Sequence, residues 1–415
     1  MDFTHYKQFK KILLLYSGGL DTSFLLRYFT QELGTEIITV SFDLGGDQRE
    51  VSLIEQRALT LGSSQHIHID AKQEFVIDYC SRAIRANAII AGAHPISSSL
   101  SRPLMATHAI RLAKQFGCDA IMHGSSGWQN NSARFDTSIR VHGSEIEIVE
   151  PVMEQNISRE SEYDYLRISG FTIDKKQDNL LSSDNNLWGR EIEDGVLEYP
   201  DSQPDQHIYS LTLDPTKTPD TPAYITIDFE EGIPIAVDGR PLALFDILTL
   251  LNSVGGMHGV GRHDAMEDKI IGYKMREIHE SPAATIIIAA HRELENTVLP
   301  KKTLAIKAII DREWTELACL GLWHHELRDE LEAFIEKASE RVTGRVRVQL
   351  FKGGIHIVGR SSAHGLYMEN IKDEIQKTYK RSPHPDRNFY DYYSFESKVA
   401  EATKNKINKP NTHRA

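Results

Sequence analysis

Hydrophobic and polar positions follow two different patterns along the chain, and the pattern changes near residue 172. In the first part, five short strand-like runs alternate with segments of helical periodicity. These runs are KILLLYS, TEIITVSFDLG, QHIHID, CDAIMHGSS and EIEIVEPV. Continuous apolar runs are typical of strands that are buried on both faces. Strands spaced by helices predict an α/β domain with a doubly wound parallel sheet, whose ligands bind at the carboxyl ends of the strands.

The segments between these strands predict amphipathic helices. One begins directly after a glycine pair and continues over residues 22–33, as far as Gly34. Another covers residues 102–117, with Pro103 near its start and Gly117 just past its end. Proline and glycine are common at those two positions of a helix, so this segment has well-marked predicted ends.

The second part of the chain has the alternation of antiparallel strands. Residues 224–237 and 343–359 each predict a β-hairpin, whereas residues 183–195 form a polar stretch that we expect to be irregular. We therefore predict an α/β domain over residues 1–172 and an α+β domain over residues 173–370. The basic, polar residues 371–415 predict an arm or a frayed end.

Composition and charge exclude several classes of protein. The 415 residues contain three scattered cysteines and no C-x-x-C pair, which argues against a disulfide framework or a thiolate zinc site. A net charge of −12 argues against a general nucleic-acid binder. The sequence shows neither a membrane span nor a signal peptide, so we expect a cytoplasmic protein without membrane or nucleic-acid partners.

The segment SGGLDTS at residues 17–23 joins the first predicted strand to the first predicted helix. Its glycine pair lets backbone N–H groups converge, and the helix N-terminus adds partial positive charge. These groups predict an oxyanion or phosphate cradle, although a tight turn without a ligand has the same glycines. The segment is not a Walker A loop, because it lacks G-K-[ST]. A phosphate held without lysine needs Mg²⁺, bound through the phosphates themselves.

The complete order Ser-Gly-Gly-x-Asp-Thr-Ser resembles the pyrophosphate loop of the N-type ATP pyrophosphatases. Within that class, the chain resembles the argininosuccinate synthetase family. Four further stretches agree with the family in order and spacing: SLSRP at residues 99–103, HGSSGWQNNSARFD at 123–136, SSDNNLWGREIEDGVLEYP at 182–200 and a long segment at 259–286. The resemblance covers roughly residues 10–370. It implies that residues 1–172 are a nucleotide-binding domain like the adenine nucleotide alpha hydrolases, that residues 173–370 are a synthetase and multimerisation domain, and that residues 371–415 are an oligomerisation arm or tail.

The resemblance implies a ligase that forms a carbon–nitrogen bond. ATP would adenylate the ureido oxygen of citrulline with release of pyrophosphate, and the amine of aspartate would then displace AMP. The ATP-binding residues that it implies are Tyr16, Ser17, Gly18, Gly19, Leu20, Asp21, Thr22, Ser23, Phe42, His123 and Gly124. Among these, Ser17 and Asp21, together with Arg134, are the implied catalytic residues.

The resemblance also assigns two amino-acid subsites. The citrulline-like substrate would contact His94, Ser99, Asn130, Arg134, Ser182, Glu191, Glu267 and His279, and the aspartate-like amine would contact Ser126, Asn130 and Asn131. The sequence departs from the family pattern at several of them. His94 and His279 stand where the family has tyrosine, Glu191 where it has serine and Asn131 where it has aspartate.

These departures leave two alternatives open beside the argininosuccinate reaction. One is a divergent ligase that joins another ureido or amide substrate to an amine. The other is a non-catalytic ATP-binding protein, because Trp128 stands where the family has a lysine. We expect no metal ion held by protein side chains, and the resemblance implies a homotetramer that takes only small-molecule substrates.

Overall fold

The computed structural model describes residues 3–46, 51–127, 130–155, 157–171, 181–367, 387–395, 397–399 and 401. The chain divides into two compact units, Met1–His364 and Gly365–Ala415. The predicted arm at 371–415 falls largely outside the described residues, as do Trp128 and Gln129. The predicted boundary at residues 172 and 173 stays a prediction.

The strands of the described residues, in chain order, are β1 (Lys11–Leu15), β2 (Glu36–Asp43), β3 (Gln65–Asp70), β4 (Ile89–Ile90), β5 (His94–Pro95), β6 (Ala120–Met122), β7 (Glu147–Val149), β8 (Leu181–Asn185), β9 (Arg190–Asp194), β10 (Ala223–Glu230), β11 (Ile233–Val237), β12 (Arg240–Pro241), β13 (Arg262–Asp268), β14 (Lys274–Glu280), β15 (Gly344–Phe351) and β16 (Gly354–Ser361). The α-helices are α1 (Leu20–Tyr28), α2 (Val51–Leu61), α3 (Lys72–Glu74), α4 (Ser81–Arg85), α5 (Ser98–Phe116), α6 (Asn131–His142), α7 (Pro151–Gln155), α8 (Arg159–Ile168), α9 (Leu244–Met257), α10 (Pro282–Val298), α11 (Lys301–Cys319), α12 (Glu326–Ser339) and α13 (Arg387–Tyr393). Single π-helical turns extend α1 and join α3 to α4.

The predicted parallel sheet is confirmed. Its five strands lie in the order β3-β2-β1-β6-β7, and every neighbouring pair is parallel. The central strand β1 is buried on both faces: Ile12 and Leu14 pack in one hydrophobic cluster, and Leu13 and Leu15 pack in another. The carboxyl ends of β1 and β6 therefore meet at one edge, where the loops that follow them can share a ligand.

The second part of the chain contains two antiparallel sheets, as its alternating pattern predicts. One has the order β12-β11-β10-β15-β16 and includes both predicted hairpins. The other has the order β13-β14-β9-β8 and lies in segments for which we predicted no hairpin. This second sheet matters most for function, because its side chains line the candidate site.

The prediction of an irregular stretch at 183–195 is wrong, because β8 and β9 form a hairpin there. Asn186 makes the turn: its side-chain oxygen accepts the backbone N–H groups of Trp188 at 2.9 Å and Gly189 at 3.1 Å. The indole of Trp188 is buried in the main core and holds the turn in place. These side-chain hydrogen bonds add to the backbone bond that the N–H of Asn186 donates to the carbonyl of Gly189 at 3.1 Å.

The long helix α5 begins at Ser98, five residues before Pro103, so the predicted start was too late. The predicted end is confirmed, because Gly117 follows the helix in the left-handed conformation with φ of 63°. The extra turn brings Ser98 and Ser99 into the helix N-terminus, where both side chains are buried beside the candidate site.

Candidate active site

The loop between β1 and α1 is a compact turn of backbone amides and hydroxyl groups. Gly19 donates its backbone N–H to Ser17 Oγ at 3.2 Å, and Ser17 Oγ lies 3.2 Å from Thr22 Oγ1. Gly18 has φ of 76°, and a Cβ atom there would lie 3.0 Å from Ile54 Cγ1. Both restrictions require glycine at position 18.

A cavity of about 540 Å³ opens above this turn, and we call it the loop cavity. The predicted ATP residues that line it are Tyr16, Ser17, Asp21, Thr22, Phe42, His123 and Gly124. The other predicted loop residues support the turn from behind: Leu20 is buried, and Ser23 Oγ lies 3.1 Å from the hydroxyl of Tyr16. The cavity is large enough for a nucleotide-sized ligand.

A buried carboxyl group lies behind the loop. Glu162 on α8 is fully buried. Burial, and then the negative charge of Asp21, raise the pKa of Glu162 to about 10. Glu162 therefore stays protonated at neutral pH.

A second and much smaller cavity, the inner cavity, has only about 20 Å³ of free space, room for about one water molecule. Seven of the eight predicted citrulline-like residues line it: His94, Ser99, Asn130, Arg134, Glu191, Glu267 and His279. The eighth, Ser182, lies on the wall of the loop cavity instead. Side chains of the site itself fill most of the inner cavity.

The guanidinium of Arg134 is anchored at the edge of the inner cavity. Its Nε donates to the carbonyl of Cys319 at 3.0 Å, and its Nη1 donates to Ser98 Oγ at 2.5 Å. Glu191 Oε1 accepts the backbone N–H of Ser98 at 2.7 Å. Burial opposes the charge of Glu191, but the charges of His279 and Arg134 outweigh it, and the pKa of Glu191 is lowered.

Two histidines stack inside the cavity. The rings of His94 and His279 lie 3.5 Å apart and are nearly parallel, at 14°. His94 Nε2 lies 2.5 Å from Glu267 Oε1. Burial disfavours the charged form of His94, but its hydrogen bond to Glu267 and the charge of that carboxylate outweigh burial and raise the pKa of His94.

Sequence reasoning missed three charged residues of the inner cavity: Glu193, Lys269 and Glu277. Lys269 forms an ion pair with Glu277 and lies 3.7 Å from Glu193. Burial, and then the charge of Glu277, raise the pKa of Glu193 well above its usual range. The signal was in the sequence, since Glu191 and Glu193 lie two apart on β9 and Glu277 and His279 two apart on β14. Period two puts each pair on one face of the sheet.

The three residues predicted to contact the aspartate-like amine lie in two different cavities. Asn130 and Asn131 line the inner cavity, and Asn130 Oδ1 accepts the backbone N–H of Ile270 at 2.9 Å. Ser126 lines a third, open cavity of about 900 Å³, the outer cavity, which also includes Asp21 and Gly124. Asn131 and Glu193 line both the inner cavity and the loop cavity, so these two cavities adjoin.

Two family models match the chain. The model for the arginosuccinate synthase N-terminal HUP domain matches residues 11–172, and the model for the arginosuccinate synthase C-terminal domain matches residues 181–400. In the described residues, no helix is both long and apolar enough to span a membrane.

Curated relatives agree with both models. The argininosuccinate synthase of Pyrococcus furiosus is 42% identical over 357 residues, which are 86% of each chain. That of Pyrobaculum aerophilum is 38% identical and covers 94% of this chain and 98% of its own. That of Symbiobacterium thermophilum is 36% identical and covers 95% of this chain and 98% of its own. The predicted family is thus confirmed, and the chain belongs to the argininosuccinate synthase family of carbon–nitrogen ligases.

Proposed function

We propose that this chain joins citrulline to aspartate with the conversion of ATP to AMP and pyrophosphate. The observation that carries the proposal is the common wall of the loop cavity and the inner cavity at Asn131 and Glu193. Adenylation needs the α-phosphate of ATP next to the substrate oxygen, and two adjoining subsites supply that proximity.

In the first step, the ureido oxygen attacks the α-phosphate and pyrophosphate leaves. The backbone N–H groups of the turn and the hydroxyls of Ser17 and Thr22 are positioned to hold the departing phosphates. The N-terminus of α1, which begins at Leu20, adds partial positive charge on the same side. Phe42 and His123 on the cavity wall contact the rest of the nucleotide.

The first substrate has an α-carboxylate and an α-ammonium group, and the inner cavity offers a partner for each. The planar guanidinium of Arg134 suits a carboxylate, and the carboxylate of Glu267 suits an ammonium. Their present partners, Ser98 and Cys319 for Arg134 and His94 for Glu267, must release them when the substrate enters.

In the second step, the aspartate amine attacks the activated carbon and expels AMP. Ser126, Asn130 and Asn131 would bind this substrate where the outer and inner cavities approach Gly124. The amine must be deprotonated to attack, and once deprotonated it needs no further base.

Magnesium is part of the proposal through its binding to ATP. Mg²⁺ prefers oxygen ligands, and the carboxylate of Asp21 faces both the loop cavity and the outer cavity. Bound through the phosphates, the ion would neutralise part of their charge next to this carboxylate.

We further propose a cytoplasmic homotetramer without nucleic-acid partners. Size-exclusion chromatography with light scattering tests the assembly and should show four subunits.

Purified protein tests the function directly. With ATP, Mg²⁺, citrulline and aspartate, we expect pyrophosphate and argininosuccinate in equal amounts. Where Arg134 is substituted, Arg140→Lys is the control. Folded protein that releases neither product would contradict the proposal. Binding of ATP without substrate-dependent pyrophosphate release would instead favour a non-catalytic nucleotide-binding protein.

A second candidate is a divergent ligase with another first substrate. It is favoured by the inner cavity, where His94 already contacts Glu267 and Glu191 already faces Arg134. If citrulline is not the substrate, converting His94 and His279 to Tyr, Glu191 to Ser and Asn131 to Asp should raise activity with citrulline. An unchanged or lower activity of the folded variant counts against this candidate.

A further inference from the structure

The inner cavity contains a cluster with the composition of a metal site. His94, Glu267 and His279 each offer one ligand atom, and these atoms lie within 4.8 Å of one another. They come from β5, β13 and β14, so regular elements hold all three side chains. Two histidines and one carboxylate are the ligand set of many catalytic zinc and non-haem iron sites.

The hydrogen bonds of His94 leave one ring nitrogen directed at Glu267. Its Nδ1 lies 3.1 Å from the carbonyl oxygen of Pro95, and a carbonyl only accepts, so Nδ1 carries a proton. In a neutral ring, Nε2 is then a lone pair that faces the carboxylate at 2.5 Å. Such a short contact is satisfied either by a proton on Nε2 or by a metal ion that both atoms bind. Metal-bound histidines commonly donate their other N–H to a backbone carbonyl in this way.

Among the described residues, His279, unlike His94, lacks hydrogen bonds to its ring nitrogens. It is only 3% exposed, yet within the described part of the chain neither of its ring nitrogens has a hydrogen-bond partner. Its Nε2 lies 3.2 Å from Glu277 Oε2, and its ring stacks on His94 at 3.5 Å. Protonating both rings would place two like charges in this stack, which is unfavourable in a desolvated site.

We propose that His94, His279 and Glu267 bind a divalent transition-metal ion of the Zn²⁺ class in the inner cavity. The mixed nitrogen and oxygen ligands favour such an ion over Mg²⁺ or Ca²⁺, which prefer oxygen alone. Ligands of a tetrahedral ion lie about 3.4 Å apart, so His94 Nε2 and Glu267 Oε1 must separate by roughly 1 Å. Such a site differs from the sequence-based expectation that no side chain holds a metal.

The inference goes beyond the proposed ligase reaction, because it concerns an ion bound in the absence of substrate, which the ammonium group of citrulline would have to displace from Glu267. A second group, His123, Asp136 and Glu150, also has ligand atoms within 4.8 Å of one another and must be distinguished from the first. There, the ring of His123 lies between two carboxylates, 3.1 Å from Asp136 and 3.4 Å from Glu150. That group has a single imidazole, and one N–H of His123 is within reach of both carboxylates, whereas the first group has two imidazoles, one of them without a hydrogen-bond partner in the part of the chain that the structure describes.

The test uses metal-free, full-length protein titrated with Co²⁺, without nucleotide or amino acids. We expect one Co²⁺ per chain and visible absorption bands of a nitrogen- and oxygen-ligated ion, displaced by Zn²⁺. His279→Gln and His94→Gln should each weaken Co²⁺ binding at least 100-fold. His263→Gln is the matched control, because its ring is 6.4 Å from that of His94 and its Nε2 bonds Thr285 at 3.1 Å. It should bind Co²⁺ as the unaltered chain does.

Circular dichroism and thermal melting establish that each variant is folded, and His94→Tyr is a second variant at the same position should His94→Gln not fold. Folded, unaltered protein that binds no Co²⁺ would overturn the proposal. So would a spectrum that survives both substitutions in the cluster but is lost in Asp136→Asn, since the ion would then belong to the other group.

Discussion

The loop cavity and the inner cavity share the wall at Asn131 and Glu193, yet the first is formed mainly by one contiguous turn and the second by side chains from distant segments. The loop cavity depends on one contiguous turn of backbone amides and hydroxyls at residues 17–23. The inner cavity depends on charged and titratable side chains from β5, β9, β13, β14 and α6, which are far apart in the sequence. A turn that binds through its backbone groups tolerates few substitutions, whereas a cavity lined by side chains can change by one substitution at a time. The departures from the family pattern lie mostly on the second side.

The largest expected effect breaks the backbone cradle. Gly18→Val puts a β-branched residue at φ of 76° and a Cβ atom 3.0 Å from Ile54. We expect ATP to bind at least about 100-fold more weakly, equivalent to about 2.7 kcal/mol, as measured by calorimetric titration. Gly34→Val is the control, because Gly34 has a similar φ of 71° but nothing within 4 Å. Equal loss of ATP affinity in both variants would show that strain, and not the cradle, is responsible.

The next effect concerns the side-chain half of the site. Arg134→Lys keeps the charge but loses the planar fork of donors. We expect the KM for citrulline to rise about 10- to 100-fold, which corresponds to about 1.5–3 kcal/mol for hydrogen bonds to a charged group. The KM for ATP should change less than threefold. Arg140→Lys, on the same helix α6 but exposed, should leave both constants unaltered. A larger change for ATP than for citrulline would contradict the division of the two cavities.

A smaller effect tests the carboxyl group behind the loop. The pKa of Glu162 is raised to about 10 by burial and by Asp21, so the folded state keeps a proton that the unfolded state loses near pH 4.5. Stability therefore falls as pH rises between these two values, by up to about 1.4 kcal/mol per pH unit. Glu162→Gln does not titrate and should become progressively more stable relative to the unaltered chain between pH 6 and pH 8.

Denaturant unfolding at several pH values measures this difference. Glu160→Gln, an exposed position in the same helix, should show no such trend. A constant difference between Glu162→Gln and the unaltered chain across this range would mean that Glu162 is ionised in the folded protein, which contradicts its raised pKa.

The features that could be predicted best from the sequence are those formed by contiguous residues. The turn at Ser17 and Gly18, the parallel sheet and the hairpins at 224–237 and 343–359 follow from local pattern, and the structure has all of them. The hairpin around Asn186 was missed because the side chain of Asn186 helps to close its turn by accepting hydrogen bonds. Local pattern carries no information about such a hydrogen bond before the chain is folded.

The inner cavity was predicted in part, through resemblance to a family. Lys269 and Glu277 were missed because their role depends on strands that meet only in the folded sheet. The stack of His94 on His279 was likewise invisible, since the two residues are 185 positions apart in the sequence. The available signal was a single isoleucine between two titratable residues on each strand, Ile192 on β9 and Ile278 on β14, because residues two apart on a strand lie on the same face.

The proposed reaction requires that ATP held in the loop cavity adenylates the ureido oxygen of citrulline bound in the inner cavity. Transfer of an oxygen label tests this step: citrulline labelled with ¹⁸O at the ureido oxygen is incubated with ATP, Mg²⁺ and aspartate. We expect the label in the phosphate of AMP, at one atom per argininosuccinate formed. Unlabelled AMP from protein that still consumes ATP would contradict it, because the oxygen adenylated would then not be that of the ureido group.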